Sequence, residues 1–164
     1  MAKVYLICGK LCCGKTTYAQ NLRVRQQGVL LSVDELMLTL FGQHCGDMHD
    51  EYAQRTKQYL LSKALQLIEC GISVILDWGV WTKAGRDEIK NFFVCRDIPF
   101  EMHYLDVENT VWQERLEKRN REVLAGICEA YYVDKNLAAK FLARFEEPDR
   151  HEMDVWIKQE DNNG

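Results

Sequence analysis

Residues 4–20 read VYLICGKLCCGKTTYAQ. An apolar run stops at Gly9, four residues intervene, and Gly14, Lys15 and Thr16 follow. Gly9-Lys10-Leu11-Cys12-Cys13-Gly14-Lys15-Thr16 matches G-x-x-x-x-G-K-[ST], the Walker A phosphate-binding loop. The spacing has a physical reason. A loop that wraps a phosphate turns its backbone N–H groups inward, which needs positions free of Cβ. The helix that follows adds its positive N-terminal end. Backbone from Gly9, Cys12, Cys13 and Gly14, with Lys15, Thr16 and Thr17 at the helix start, is therefore expected to hold the phosphates of a nucleotide. Lys15 is expected to neutralise the β and γ phosphates, and Thr16 to offer its hydroxyl to Mg²⁺. A plain glycine turn is the weaker reading, because the pattern lies between a buried strand and a helix, as the mechanism requires.

The surrounding sequence fits an α/β chain. Its 164 residues suit one domain, 1–164. Strands are expected at 3–8, 29–34, 72–77, 100–107 and 153–157, the first apolar on both faces and the next two buried. Helices are expected at 15–27, 34–41, 51–70, 84–95, 109–121 and 134–146. Gly28 and Gly71 serve as stops, and Asn109 or Thr110 as a cap. Tyr59, Leu60, Ala64, Leu67 and Ile68 mark the buried face of the long helix. GQHCGDMHD reads as a loop, 122–133 fits no single pattern, and the tail QEDNNG should fray. Alternating strands and helices give a parallel sheet covered on both faces.

Composition narrows the class. No apolar run reaches membrane-spanning length, and the N-terminus has no signal-peptide pattern, so a cytoplasmic protein is expected. Cys8, Cys12, Cys13, Cys45, Cys70, Cys95 and Cys128 are odd in number and form no CxxC, which favours free thiols. The net charge of −4 disfavours a broad nucleic-acid surface. No N-K-x-D motif marks a GTPase, and no LSGGQ-like signature occurs.

The blocks GKLCCGKTTYAQ, LLSVDELM, SVILDWGVWTKAGRDEI, WQERLEKRNRE and FLARFEEPD resemble, in that order, the zeta toxin and chloramphenicol phosphotransferase-like P-loop kinases. These are often known simply as AAA-family ATP-binding proteins. The resemblance implies a P-loop NTPase fold with a five-stranded sheet in the order 2-3-1-4-5. It also implies ATP and Mg²⁺, with transfer of the γ-phosphate to a hydroxyl. In those kinases Arg119 matches the arginine of an RN pair at the lid. A second lid arginine often follows about four residues later, where this chain has Val123.

Asp34 and Asp77 each close a strand, and carboxyl ends of parallel strands face the active crevice. If strand 3 adjoins strand 1, Asp77 reaches Mg²⁺ or its waters. If strand 2 lies one further out, Asp34 stands about 10 Å from strand 1, leaving room for an acceptor. Asp34 is then the general base and Asp77 the metal-side carboxylate. The plainer alternatives are a helix N-cap for Asp34 and a turn residue for Asp77. Arg115 and Arg119 share a helix face. Arg121 joins Arg119 as a second catalytic lid arginine if the helix ends at Asn120. A salt-bridged surface with Glu114, Glu117, Lys118 and Glu122 is the alternative. Arg86 suits an acceptor or phosphate, or a helix surface. Trp78 and Trp81 suit the wall of an acceptor pocket, or the sheet rim. His44, Cys45, Asp47, His49 and Asp50 match no zinc pattern and suit a mobile loop over the acceptor. VLAGICEAYYV is apolar for a lid, and could pack on an acceptor or on a second copy in a homodimer.

The partners expected are ATP and an unidentified small-molecule acceptor. A polynucleotide 5′-hydroxyl kinase is the runner-up, weakened because Met37 stands where such enzymes tend to carry an arginine. A nucleotide-dependent switch with no acceptor is a third reading.

Overall fold

The computed structural model describes residues 1–43 and 46–159. Five parallel strands form one sheet: β1 (Val4–Gly9), β2 (Val29–Ser32), β3 (Val74–Asp77), β4 (Phe100–Val107) and β5 (Val155–Gln159). Their order is β2-β3-β1-β4-β5, as expected. Six α-helices accompany them among the described residues: α1 (Lys15–Gln26), α2 (Val33–Phe41), α3 (His49–Glu69), α4 (Lys83–Val94), α5 (Asn109–Leu124) and α6 (Lys135–Arg144).

The period-2 alternation of side chains divides the core in two. From β1, Val4, Leu6 and Cys8 pack with Met37 of α2, Leu60 and Ala64 of α3, and Ile89 and Phe93 of α4. Tyr5 and Ile7 point the other way, onto Ala19 and Leu22 of α1, Val111 and Trp112 of α5, and Phe141 of α6. β1 and β3 are buried on both faces. β2 is half-buried rather than fully buried, because it is the edge strand.

Several boundaries differ from the sequence expectation for local reasons. α2 is capped by Ser32, whose hydroxyl accepts from Glu35 N at 3.3 Å, so Asp34 is not the N-cap. α3 starts at His49, two residues early, after a short 3₁₀ turn at Gly46–Met48. Its Tyr59, placed by periodicity on the buried face, is exposed and lies under Lys63 Nζ, 5.3 Å from the ring centroid. α5 runs on to Leu124 instead of fraying at Asn120. His44, Cys45 and the tail from 160 lie outside the described residues. The thiols of Cys8, Cys12, Cys13, Cys70, Cys95 and Cys128 are free. Among the described residues no helix is long and apolar enough to cross a membrane.

Candidate active site

The loop between β1 and α1 is shaped by two glycines in conformations that side chains avoid. Gly9 has φ 151°, and a Cβ there would meet Cys13 Sγ at 2.7 Å and Leu105 O at 2.9 Å. Gly14, φ 92°, caps α1. The Cys13 side chain is fully buried in the core, so this residue can serve a phosphate only through its backbone. Lys15 Nζ reaches back across the loop and donates to Lys10 O at 2.7 Å and Gly9 O at 3.3 Å. Thr16 and Thr17 are exposed in the first turn of α1.

Sheet register brings the carboxylates to this loop. Asp77 pairs with Ile7 of β1 on one side and with Ser32 of β2 on the other. Its buried carboxylate accepts from Thr16 Oγ1 at 2.7 Å. A hydroxyl and a carboxylate, both hard oxygen ligands, fit Mg²⁺ together with phosphate oxygens and water. Among the described residues no group of three or more His, Cys, Asp or Glu side chains is arranged to hold a metal.

Asp34 lies two residues beyond Ser32. Water reaches it, yet protein crowds the mouth in which it sits. That desolvation raises its pKa above the ordinary carboxylate range, and Asp77 pushes the same way. Lys15, Arg119 and His49 oppose the shift. The carboxylate therefore shares one electrostatic neighbourhood with Lys15, the strand-end Asp77 and Arg119 of α5.

The arginines sort differently from the sequence expectation. Arg115 and Arg119 are both half-buried on one face of α5. Arg115 Nη1 points at the phosphate loop, 3.4 Å from Cys13 O, rather than pairing with its glutamate neighbours. Arg119 Nη2 donates to Tyr131 O at 3.3 Å, and its buried Nε has no hydrogen-bond partner among the described residues. Arg119 and Lys15 also oppose the burial that raises the Cys12 thiol pKa. Because α5 continues, Arg121 lies about 200° around from Arg119 and is exposed. The condition for a two-arginine lid is not met.

Arg86 belongs to neither role expected for it. It is 1% exposed, with Nη1 donating to Glu146 O at 2.8 Å and Nε to Glu152 Oε2 at 3.1 Å. It therefore ties α4 to the segment before β5. Trp78 is buried in the core and donates from Nε1 to Leu31 O at 3.0 Å. Trp81 packs edge-on against Phe141, with centroids 5.1 Å apart. Both pack within the fold, and Trp78 also lines a pocket between α3 and α4 with Leu61 and Ile89.

Segment 125–134 forms a strap between the end of α2 and α5, held by groups that sequence reasoning missed. Gln43 donates to Ala130 O at 2.7 Å and accepts from Tyr132 N at 3.2 Å. Asn120 does the same with Val133, at 2.7 and 3.0 Å. Each carboxamide replaces a missing backbone ladder with one donor and one acceptor. An Asn on the strap side of α5 was the available signal, but its partner lies in a segment without periodicity. His49 at the start of α3 meets Tyr131 of the strap edge-on, at 5.9 Å. Of the residues suggested as a ligand cluster, Asp47, His49 and Asp50 are exposed at this mouth.

No curated protein matches the chain significantly. Solved structures share its fold at low identity. The Mycobacterium tuberculosis APS kinase CysC, in complex with AMPPNP and APS, aligns with TM-score 0.68 and 17% identity over 98% of this chain and 90% of that one. A sugar kinase from Janibacter sp. HTCC2649 aligns with TM-score 0.63 and 19% identity over 96% and 86%. Chaetomium thermophilum Kti12, in complex with ADP-AlF3, aligns with TM-score 0.69 and 18% identity over 98% and 90%. The fold is thus that of P-loop kinases. Residues 4–148 match the AAA domain family AAA_33, and the chain belongs to that family.

Proposed function

We propose that this chain is an ATP-dependent kinase that transfers the γ-phosphate of ATP to a hydroxyl of a small molecule. Its sequence blocks resemble, in order, the zeta toxin and chloramphenicol phosphotransferase-like P-loop kinases, which supports this reading. The observation that carries the reading is Asp34, a carboxylate in a crowded mouth within electrostatic reach of both Lys15 and Arg119. Asp34 accepts the hydroxyl proton as the acceptor oxygen bonds to the γ-phosphorus, and the bond to the bridging oxygen breaks to leave ADP. Backbone of Gly9, Cys12, Cys13 and Gly14, with Lys15 and Thr17, holds the phosphates. Arg119 bears the charge that develops on the transferring group. Thr16 and Asp77, already joined by a hydrogen bond, would hold Mg²⁺, which would supply neutralisation of phosphate charge.

ADP release from Mg-ATP, measured across a library of hydroxyl metabolites, tests this reading. Lys15→Ala should abolish transfer and weaken ATP binding. Asp34→Asn should keep ATP binding and lose transfer by about 10²- to 10⁴-fold. A wild-type rate in Asp34→Asn would remove it as the base. Because the Asp34 pKa is raised, the acid limb of wild-type kcat/KM should lie above the ordinary aspartate value of about 3.9 and vanish in Asp34→Asn.

A further inference from the structure

The acceptor side of the cleft has a distinctive charge. The stretches 46–54 and 125–134 meet where His49 packs on Tyr131, beside the Gln43 clasp. Together they carry Asp47, Asp50, Glu51, Glu129 and Asp134, and no Lys or Arg. The next cation, Arg55, is tied in an ion pair to Glu51. The helix ends that would ordinarily attract anions are already neutralised. α2 has Asp34 and Glu35 in its first turn, and α3 has Asp50 and Glu51. α6 is capped by the Asp134 carboxylate, which accepts from Leu137 N at 2.7 Å. Three residues after Asp34, Met37 is 1% exposed beneath Thr56, whose Oγ1 lies 3.4 Å from its sulfur. Of the groups that favour a charged Asp34, Lys15 and Arg119 lie on the side of the phosphate loop and of α5, and the His49 imidazole lies at the start of α3. Aromatic rings complete the mouth: Phe41 stacks on Tyr52 at 4.7 Å, and His49 meets Tyr131.

We infer that the acceptor is an alcohol with no phosphate or carboxylate of its own, either uncharged or amine-bearing. This inference rests on the kinase reading. An anionic acceptor would enter among carboxylates, where the described residues of 46–54 and 125–134 offer no arginine fork or open helix end to receive it. A polyol or amino alcohol can instead donate hydrogen bonds to those carboxylates and lay its carbon face on the rings.

The test pairs uncharged and amino sugars and polyols with sugar phosphates and sugar acids, each supplied to the full chain with Mg-ATP. Wild-type transfer should favour the uncharged and amine-bearing set. Asp50 and Glu129 are exposed, so the variant Asp50→Lys/Glu129→Lys should fold, as a thermal melt would verify. Should the double variant not fold, Asp50→Lys alone makes the same comparison. Reversing both charges should raise the ratio of anionic to non-anionic transfer about threefold to tenfold. A wild-type preference for phosphates or sugar acids, or a ratio that does not move, would overturn this inference and leave the kinase reading standing. If Mg-AMPPNP binds but no alcohol of either set stimulates ADP release, the kinase reading itself falls, and this inference with it.

Discussion

Replacing Arg86 by methionine separates a structural from a catalytic arginine. The sequence allowed Arg86 to hold an acceptor, whereas the structure buries it against Glu146 and Glu152. Methionine keeps the aliphatic bulk but leaves the Glu152 carboxylate, whose side chain is 14% exposed, without its cation. Breaking a buried pair costs about 3–5 kcal/mol. Glu152 retains one hydrogen bond, from Asp149 N at 3.1 Å, so the lower end applies. The lost bond to Glu146 O adds about 1 kcal/mol. A total near 4 kcal/mol corresponds to a fall in Tm of about 8–16 °C for a chain of this size. Adding Glu152→Met should restore most of that loss, since an apolar pair of similar volume often replaces a buried ion pair without penalty. Thermal denaturation followed by circular dichroism reads both variants, and ADP release well below Tm should stay within a few-fold of wild type. An unchanged Tm with lost transfer would refute the structural assignment and return Arg86 to the site.

The three arginines of α5 should separate by assay: Arg115→Ala weakens AMPPNP binding about tenfold by removing a charged group from the phosphate loop. Arg119→Ala lowers kcat by about 10²- to 10³-fold with a smaller effect on affinity. Arg121→Ala stays within about twofold of wild type, and a dead Arg121→Ala would reinstate it. Asp77→Asn should shift the Mg²⁺ titration to higher concentration, and an unchanged titration would argue against its metal role. Glu101 offers a pH test. Burial alone would raise its pKa, but hydrogen bonds from Lys3 and His103 overcome that and hold it below the usual value. Its stabilisation is therefore complete above about pH 4.3 and lost as pH falls through the lowered folded-state pKa. In urea unfolding, Glu101→Gln should be less stable than wild type at pH 7, with the gap closing toward pH 3; a gap independent of pH would contradict the linkage.

What the sequence determined alone follows from local rules. The phosphate loop is legible because its glycines, lysine and hydroxyl are needed at consecutive backbone positions, so no distant residue decides them. The alternation of apolar runs with helical periods led to a parallel α/β sheet, and strand-end positions singled out Asp34 and Asp77. Tertiary structure decided everything that depends on residues far apart in the chain. Arg86 read as an acceptor or phosphate ligand or as a helix-surface residue until Glu152, 66 positions later, closed over it. Arg115 looked paired with its helical neighbours until the phosphate loop, 102 positions earlier, presented Cys13 O. Gln43 carries no motif, and its role exists only because the strap returns to it 87 and 89 residues on. A side chain's propensity is set by its own backbone, but its partner is set by the path of the whole chain, and periodicity carries no information about that path.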